Sequence, residues 1–325
     1  MITILDRRPA EAGRKRRGVA LLLTLLIVAL LSASVLTFIE LTHLEAKVAD
    51  NTYAFTQAEI LARAGLKGAM TILSMDETKF DSLNESWNRY ARYADLASGM
   101  LEEGSFTGVI EDLSAKFNPN YMIDNKGLLV KERVAQFERL IRLLELDESI
   151  VPAVLDWLDP DDEQRFGSAE NPYYLTLPNP YPCANGPLLT LGQLALVKGL
   201  TPLVRLGDKD KPGLNQYLTV YSKGQININT AEPLVLQSLD DELTPTVVKN
   251  IIERRQAEPF EKLDHLKEIS GLTPEILARI TGRLSINSSH FQIRIEGIFR
   301  EARVRVTAVV VRDSDGIKLI FYRVG

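Results

Sequence analysis

The sequence predicts an α+β fold: a long N-terminal helix packed on a small antiparallel sheet, with a large α-helical domain inserted into that sheet. Three observations predict it. No proline occurs from Val19 to Met75, and apolar residues recur there at helical spacing. The last segment, FQIRIEGIFREARVRVTAVVVRDSDGIKLIFYRVG, alternates with period two. Between them lies a mainly helical stretch, residues 131–286, broken by a proline-rich loop at residues 171–187.

Composition bounds the possibilities. At 325 residues the chain exceeds the usual compact domain, and 45% hydrophobic with 25% charged residues is enough for a core and too balanced for disorder. One cysteine, Cys183, excludes an intrachain disulfide framework and a four-cysteine zinc site. A net charge of -5 disfavours non-specific nucleic-acid binding, which depends on Lys and Arg neutralising phosphates.

The charge is unevenly placed. Residues 1–18 hold Arg7, Arg8, Arg14, Lys15, Arg16 and Arg17 against Asp6 and Glu11. From Val19 to Ile39 no residue ionises, and a helix of that length reaches about 31 Å, enough to span a bilayer core. A basic block before the span keeps the N-terminus cytoplasmic and sends the rest across. An ordinary secretory signal has a shorter apolar core and a small-residue cleavage site. Beyond the span, Leu41, Leu44, Val48, Phe55, Ile60, Leu61, Ala64 and Leu66 continue the helical period.

The run RRGVALLLTLLIVALLS, with Gly18 directly before the apolar helix, resembles the type III signal of prepilins and pseudopilins. That resemblance implies cleavage after Gly18 by a prepilin peptidase and a methylated mature N-terminus at Val19. The fifth mature position, normally Glu in the pilin-like family, is Leu23. A carboxylate in hydrocarbon needs a partner, which the N-terminal amine of a neighbouring subunit supplies. A subunit without it suits the end of a fibre, where no preceding subunit offers an amine.

The body adds further signals. SFTGVIEDLSAKFNPN reads as a strand pair turning near Asp112 to Lys116, and the C-terminal alternation through Ile293, Ile295, Ile298, Val304, Val306, Ala308 and Val310 as a three-strand meander with an Asp-Gly turn at 313–316. LGQLALVKGLTPLVRL repeats as LDHLKEISGLTPEILARI, each with the core GLTP, where Gly ends one helix, Thr caps the next and Pro occupies its first turn. Thr230 and Thr244 read as further caps. These pieces resemble helix-hairpin-helix (SAM-like) units. In DNA-binding hairpins a glycine-rich turn offers N–H groups to phosphate. Here the turn is Gly271-Leu272-Thr273 beside Glu268 and Glu275, and Arg254, Arg255, Lys262 and Lys267 alternate with Glu253, Glu258 and Glu261. Protein packing is the favoured role, and a membrane-anchored DNA-binding protein the alternative.

In DWLDPDDEQRFGSAE, Asp159, Asp161, Glu163 and Glu170 fall at positions 1, 3, 5 and 12 of a twelve-residue window, the spacing of a calcium loop. Pro160 and Gln164 depart from an EF-hand, and a solvated acidic loop fits the same spacing. Asp156 and Asp162 are substitute ligands. No metalloprotease, nucleophile-elbow or Walker motif occurs, and His43, His265 and His290 are scattered, so the chain reads as a non-enzyme. Trp87 and Trp157 read as core or interface anchors.

The leader glycine, the hairpin-bearing insertion, and the segments IEDLSAKFNPN and ININTA together resemble the protein K family of type II secretion minor pseudopilins. The resemblance divides the chain into leader (1–18), membrane part (19–39), pilin-like helix and first strands (40–130), inserted domain (131–286) and final strands (287–325). It implies a single-pass inner-membrane protein with a periplasmic head, placed at the pseudopilus tip after assembly. It implies minor pseudopilins I and J, the prepilin peptidase, the inner-membrane secretion platform and exported substrate as partners, with no nucleic acid. It also implies Ca2+ in the helical domain, at the acidic loop.

Overall fold

A computed structural model describes residues 12–325, with side chains from Gly18 onward. The basic residues of the leader lie outside the described side chains. One helix, α1 (Ala12–Ser74), runs unbroken through the apolar span into the head. From Gly18 it is long and apolar enough to cross a membrane, and its apolar window is unburied.

The head is a four-stranded antiparallel sheet in the order β1 (Ser105–Asp112), β4 (His290–Phe299), β5 (Ala302–Asp313), β6 (Gly316–Val324). The C-terminal meander is as the alternation predicts, and Gly316 takes the positive φ that the Asp-Gly turn needs. One face packs on α1, burying Leu66, Leu73, Ile110, Phe291, Ile293, Ile295 and Val306 with Trp87. Ile298 is the exception to the alternation: Gly297 takes the inward place and Ile298 is only half-buried on the other face.

Only the part of α1 from Ala54 onward meets the sheet, and it does so mainly through small residues with Leu66 and Leu73. Leu41, Leu44, Val48, Phe55 and Ile60 are exposed, whereas Ala54, Ala58, Ala62, Gly65 and Ala69 are buried. The cause is distance of approach. A Cβ on Gly297 would lie 2.6 Å from the Ala62 nitrogen, and one on Gly65 would lie 2.8 Å from both Ile295 Cγ2 and Phe106 Cδ2. The helix backbone sits against the sheet, and only small residues fit between them.

After α1 come α2 (Tyr90–Ser98) and then β1, which is one strand and not the predicted pair. The Asp112 carboxylate accepts the Ser114 N–H at 2.7 Å and turns the chain into a 3₁₀ segment. Phe117 then pairs with the distant Leu218 in a parallel bridge.

Everything between β1 and β4 forms the inserted domain. It holds α3 (Lys131–Leu143), α4 (Ile150–Leu158), α5 (Asn171–Tyr174), α6 (Pro202–Leu206), α7 (Pro233–Gln237), α8 (Pro245–Ala257) and α9 (Pro274–Ile280). A short parallel bridge joins β2 (Ile226–Asn227) to β3 (Leu284–Ser285). Its core includes Phe137, Leu140, Trp157, Tyr174, Phe260 and Ile276, and extends back to Phe117 and Met122, ahead of the predicted start at 131. Trp87 and Trp157 are core residues of the two units.

In both GLTP corners the glycine has positive φ, and Thr201 and Thr273 accept from Val204 N and Ile276 N. The segments before them, Leu191–Leu196 and Leu263–Glu268, are 3₁₀ turns in place of the predicted α-helices. Thr244 caps α8 as expected, but Thr230 caps nothing: α7 starts after Glu232, and the Thr230 hydroxyl donates to Asp112.

Candidate functional site

On the stem, Gly18, Val19 and Leu23 are all exposed, and nothing lies within 4 Å of a Cβ placed on Gly18. The apolar surface continues past the membrane-length segment through Leu41, Leu44, Val48, Phe55 and Ile60. It forms a long exposed apolar surface on a helix that becomes buried against the head only from Ala54 onward.

The acidic loop follows α4. Asp156, Asp159 and Glu170 are buried, each 1% exposed or less, whereas Asp161 and Glu163 are exposed. Arg165 is the cation among them, its Nη1 held by the Asp156 carboxylate and 2.5 Å from Asp159 Oδ2. Its backbone N–H donates to Asp156 at 2.9 Å, and the Ser168 hydroxyl donates to the same carboxylate. Two buried carboxylate oxygens, Asp159 Oδ1 and Glu170 Oε1, have no hydrogen-bond partner. Desolvation, helped by repulsion from Asp156 and Asp159, pushes the Glu170 carboxyl up to about 7. Asp161 accepts the Glu163 N–H at 2.8 Å, and Asp162 accepts from Asn171 at 2.7 Å and Asn185 at 2.9 Å, tying the loop to the proline-rich segment. Of the twelve-residue window, Asp159 and Glu170 are buried, as is Asp156, and Asp161 and Glu163 stand outside on the loop; the ligand oxygens of Asp156, Asp159 and Glu170 do not all lie within 4.8 Å of one another. An all-oxygen set with orphaned buried carboxylate oxygens fits a hard divalent cation.

A second carboxylate group was not legible in the sequence. Among the described residues, ligand oxygens of Asp76, Asp81 and Glu85 lie within 4.8 Å of one another. Their donors come from the protein: Arg312 to Asp76 at 2.8 Å and to Asp81, and Trp87 and Thr78 to Glu85, each at 2.7 Å. Next to it lies Asp112, buried and accepting from Thr230, Ser288, Asn227 and Ser114. Asn227 also donates to the Asp81 carbonyl at 3.0 Å. The segments IEDLSA and ININT meet here, where the insertion leaves and rejoins the sheet.

Three of the four hairpin cations, Arg254, Arg255 and Lys267, are occupied within the protein. Arg255 is buried and donates to the Ile228 carbonyl at 2.6 Å, with burial lowering its guanidinium to about 10. Arg254 pairs with Glu258 at 3.0 Å and Lys267 with Asp264 at 2.8 Å. Cys183 is buried beside the Asp156 carbonyl, and burial raises its thiol to about 11, opposite to an activated nucleophile. His43 is on the stem, His265 in a 3₁₀ turn, and His290 at the start of β4 against Ser289 at 2.8 Å.

A membrane-length apolar helix continuing without a break into the packing helix of an antiparallel sheet defines a pilin-like subunit, here with a large domain inserted in its head. Two family models, both described as type II secretion system (T2SS), protein K, match residues 115–206 and 226–287. Type II secretion system protein K of Aeromonas hydrophila is 26% identical over 336 residues, covering 95% of this chain and 97% of its own. That of Pectobacterium carotovorum subsp. carotovorum is 29% identical over 304 residues, covering 87% and 88%. Among solved structures, the GspK-GspI-GspJ complex from the enterotoxigenic Escherichia coli type 2 secretion system has a similar fold. Its TM-score is 0.64 at 21% identity, covering 87% of this chain and 99% of that one. The chain belongs to the type II secretion system protein K family, the minor pseudopilins of that system.

Proposed function

We propose that this protein joins the minor pseudopilins I and J in the tip complex that starts and caps the periplasmic pseudopilus. The observation that carries the reading is the run of large apolar residues left exposed on α1 beyond the membrane-length segment: Leu41, Leu44 and Val48, which precede the first buried position at Ala54, and Phe55 and Ile60 beside the head. Neighbouring stems that cover this stripe make extraction from lipid favourable. The solved relative whose fold this chain shares is itself a complex of three such subunits.

In this reading residues 19–39 hold the chain in the inner membrane with the N-terminus cytoplasmic and the head periplasmic. The prepilin peptidase cleaves after Gly18, and Val19 becomes the methylated mature N-terminus. Leu23 carries no carboxylate for a preceding amine, which suits the first subunit of a fibre. The role is assembly, and contact with the secretion platform and exported substrate, without bond making. Asp159 and Glu170, with Asp156, would hold Ca2+, which would cross-link the loop after α4 to the start of α5; Asp161 and Glu163 would have to fold inward to join them.

Two measurements test this. Co-purification with the I and J subunits from native membranes is expected to give one copy of each, and failure to recover either removes the tip reading. Mass spectrometry of the native protein is expected to begin at Val19, and an intact leader in cells with active peptidase contradicts processing.

A further inference from the structure

The loop after α4 carries more than a set of carboxylates. Asp156, Asp159 and Glu170 are all buried, and the one cation reaching them comes from within the same loop. The Arg165 Nη1 atom lies between Asp156 Oδ1 and Asp159 Oδ2, where one centre of positive charge serves both oxygens. The compensation is incomplete. The guanidinium meets Asp156 and Asp159 but not Glu170, and Asp159 Oδ1 and Glu170 Oε1 keep no donor. Arg165 is also replaceable, because its side chain is 29% exposed and its neighbours Gln164, Phe166 and Gly167 are at the surface. Phe166 is fully exposed, so the loop tip is not anchored by a core contact.

We infer that Arg165 is a resident counter-ion, which neutralises Asp156 and Asp159 during folding and swings out to solvent when a divalent cation takes its place between the carboxylates. The inference rests on the calcium reading above. A guanidinium and a divalent cation cannot share the same two oxygens at ligand distance, since both positive charges would lie within a few ångströms. Arg165 therefore weakens calcium binding while protecting the calcium-free head from two uncompensated buried charges, Asp156 and Asp159. It would set the calcium level at which the loop changes form.

The test uses the full chain in detergent, stripped with EDTA and titrated with CaCl2 in a calorimeter. Arg165→Gln is expected to bind calcium about tenfold more tightly than the wild type, because no charge-assisted hydrogen bonds are surrendered, and Arg165→Lys to stay near the wild type. A second measurement needs no variant. Phenylglyoxal modification of Arg165, read by peptide mass, is expected to speed up when calcium is added. Equal or weaker binding by Arg165→Gln, or slower modification with calcium, overturns the inference. If the wild type gives no binding heat and matches Asp159→Asn, the calcium reading fails and this inference falls with it, a result distinct from the other two.

Discussion

The Thr230 hydroxyl donates to Asp112 Oδ2 at 2.5 Å, joining residues 118 apart in sequence at the junction of sheet and insertion. Ser288 donates to the same oxygen at 2.6 Å from the other crossing strand. One buried carboxylate thus fixes both connections of the insertion. Thr230→Val keeps the shape and removes one donor, leaving a buried oxygen short. A loss of about 1 to 3 kcal/mol in chemical denaturation of the full chain is expected. An unchanged midpoint would show that the bond contributes nothing.

Burial raises the Asp112 carboxyl above its ordinary 3.8, against four hydrogen bonds that favour the ionised form. With the folded value above the unfolded one, the stabilising contribution is complete below 3.8 and is lost as pH rises through the folded value. Asp112→Asn cannot ionise. The stability margin of wild type over this variant should shrink as pH rises above 3.8. A constant or widening margin contradicts the sign.

Gly297 sets how closely α1 approaches the sheet. Alanine there would push into the Ala58 carbonyl and the Ala62 nitrogen, both backbone, so no side-chain rotation relieves it. Gly297→Ala is expected to cost about 3 kcal/mol or prevent folding, read by thermal unfolding. Gly282→Ala, with nothing within 4 Å, should be near neutral.

Calcium removal gives a further outcome. With calcium at a hundredfold excess over its dissociation constant, EDTA should lower stability by about 2.7 kcal/mol. Residues 159–187 should become more sensitive to protease. The double variant Asp159→Asn, Glu170→Gln should respond to neither calcium nor EDTA.

Arg255 supports the Ile228 carbonyl from a buried position. Arg255→Ala should destabilise the inserted domain by about 1 to 3 kcal/mol through the orphaned oxygen. Duplex DNA retention, measured at low salt, should be absent in both forms.

Several features were legible because they are local. A 21-residue apolar run after a basic block, a period-two alternation and a Gly-Thr-Pro corner each carry their geometry in adjacent residues. The misreadings came where distant residues decide. Strand β1 stops at Asp112 because its carboxylate is claimed by Thr230 and Ser288, so the predicted partner strand never forms. Thr230, read as a cap, is spent on that carboxylate. In the acidic loop, the sequence singled out Asp159 and Glu170, with Asp156 as a substitute, but gave no sign that Arg165 bridges Asp156 and Asp159.

The sequence by itself determined the stem, the meander and the order of elements, since hydrophobic period and turn chemistry act over a few residues. Only the tertiary structure decided which face of α1 is buried. Large residues mark a packing face when neighbours stand a side chain apart. Here Gly297 and Gly65 let backbone meet backbone, so Ala54, Ala58, Ala62 and Ala69 go inside with Leu66 and Leu73, while Phe55 and Ile60 stay exposed.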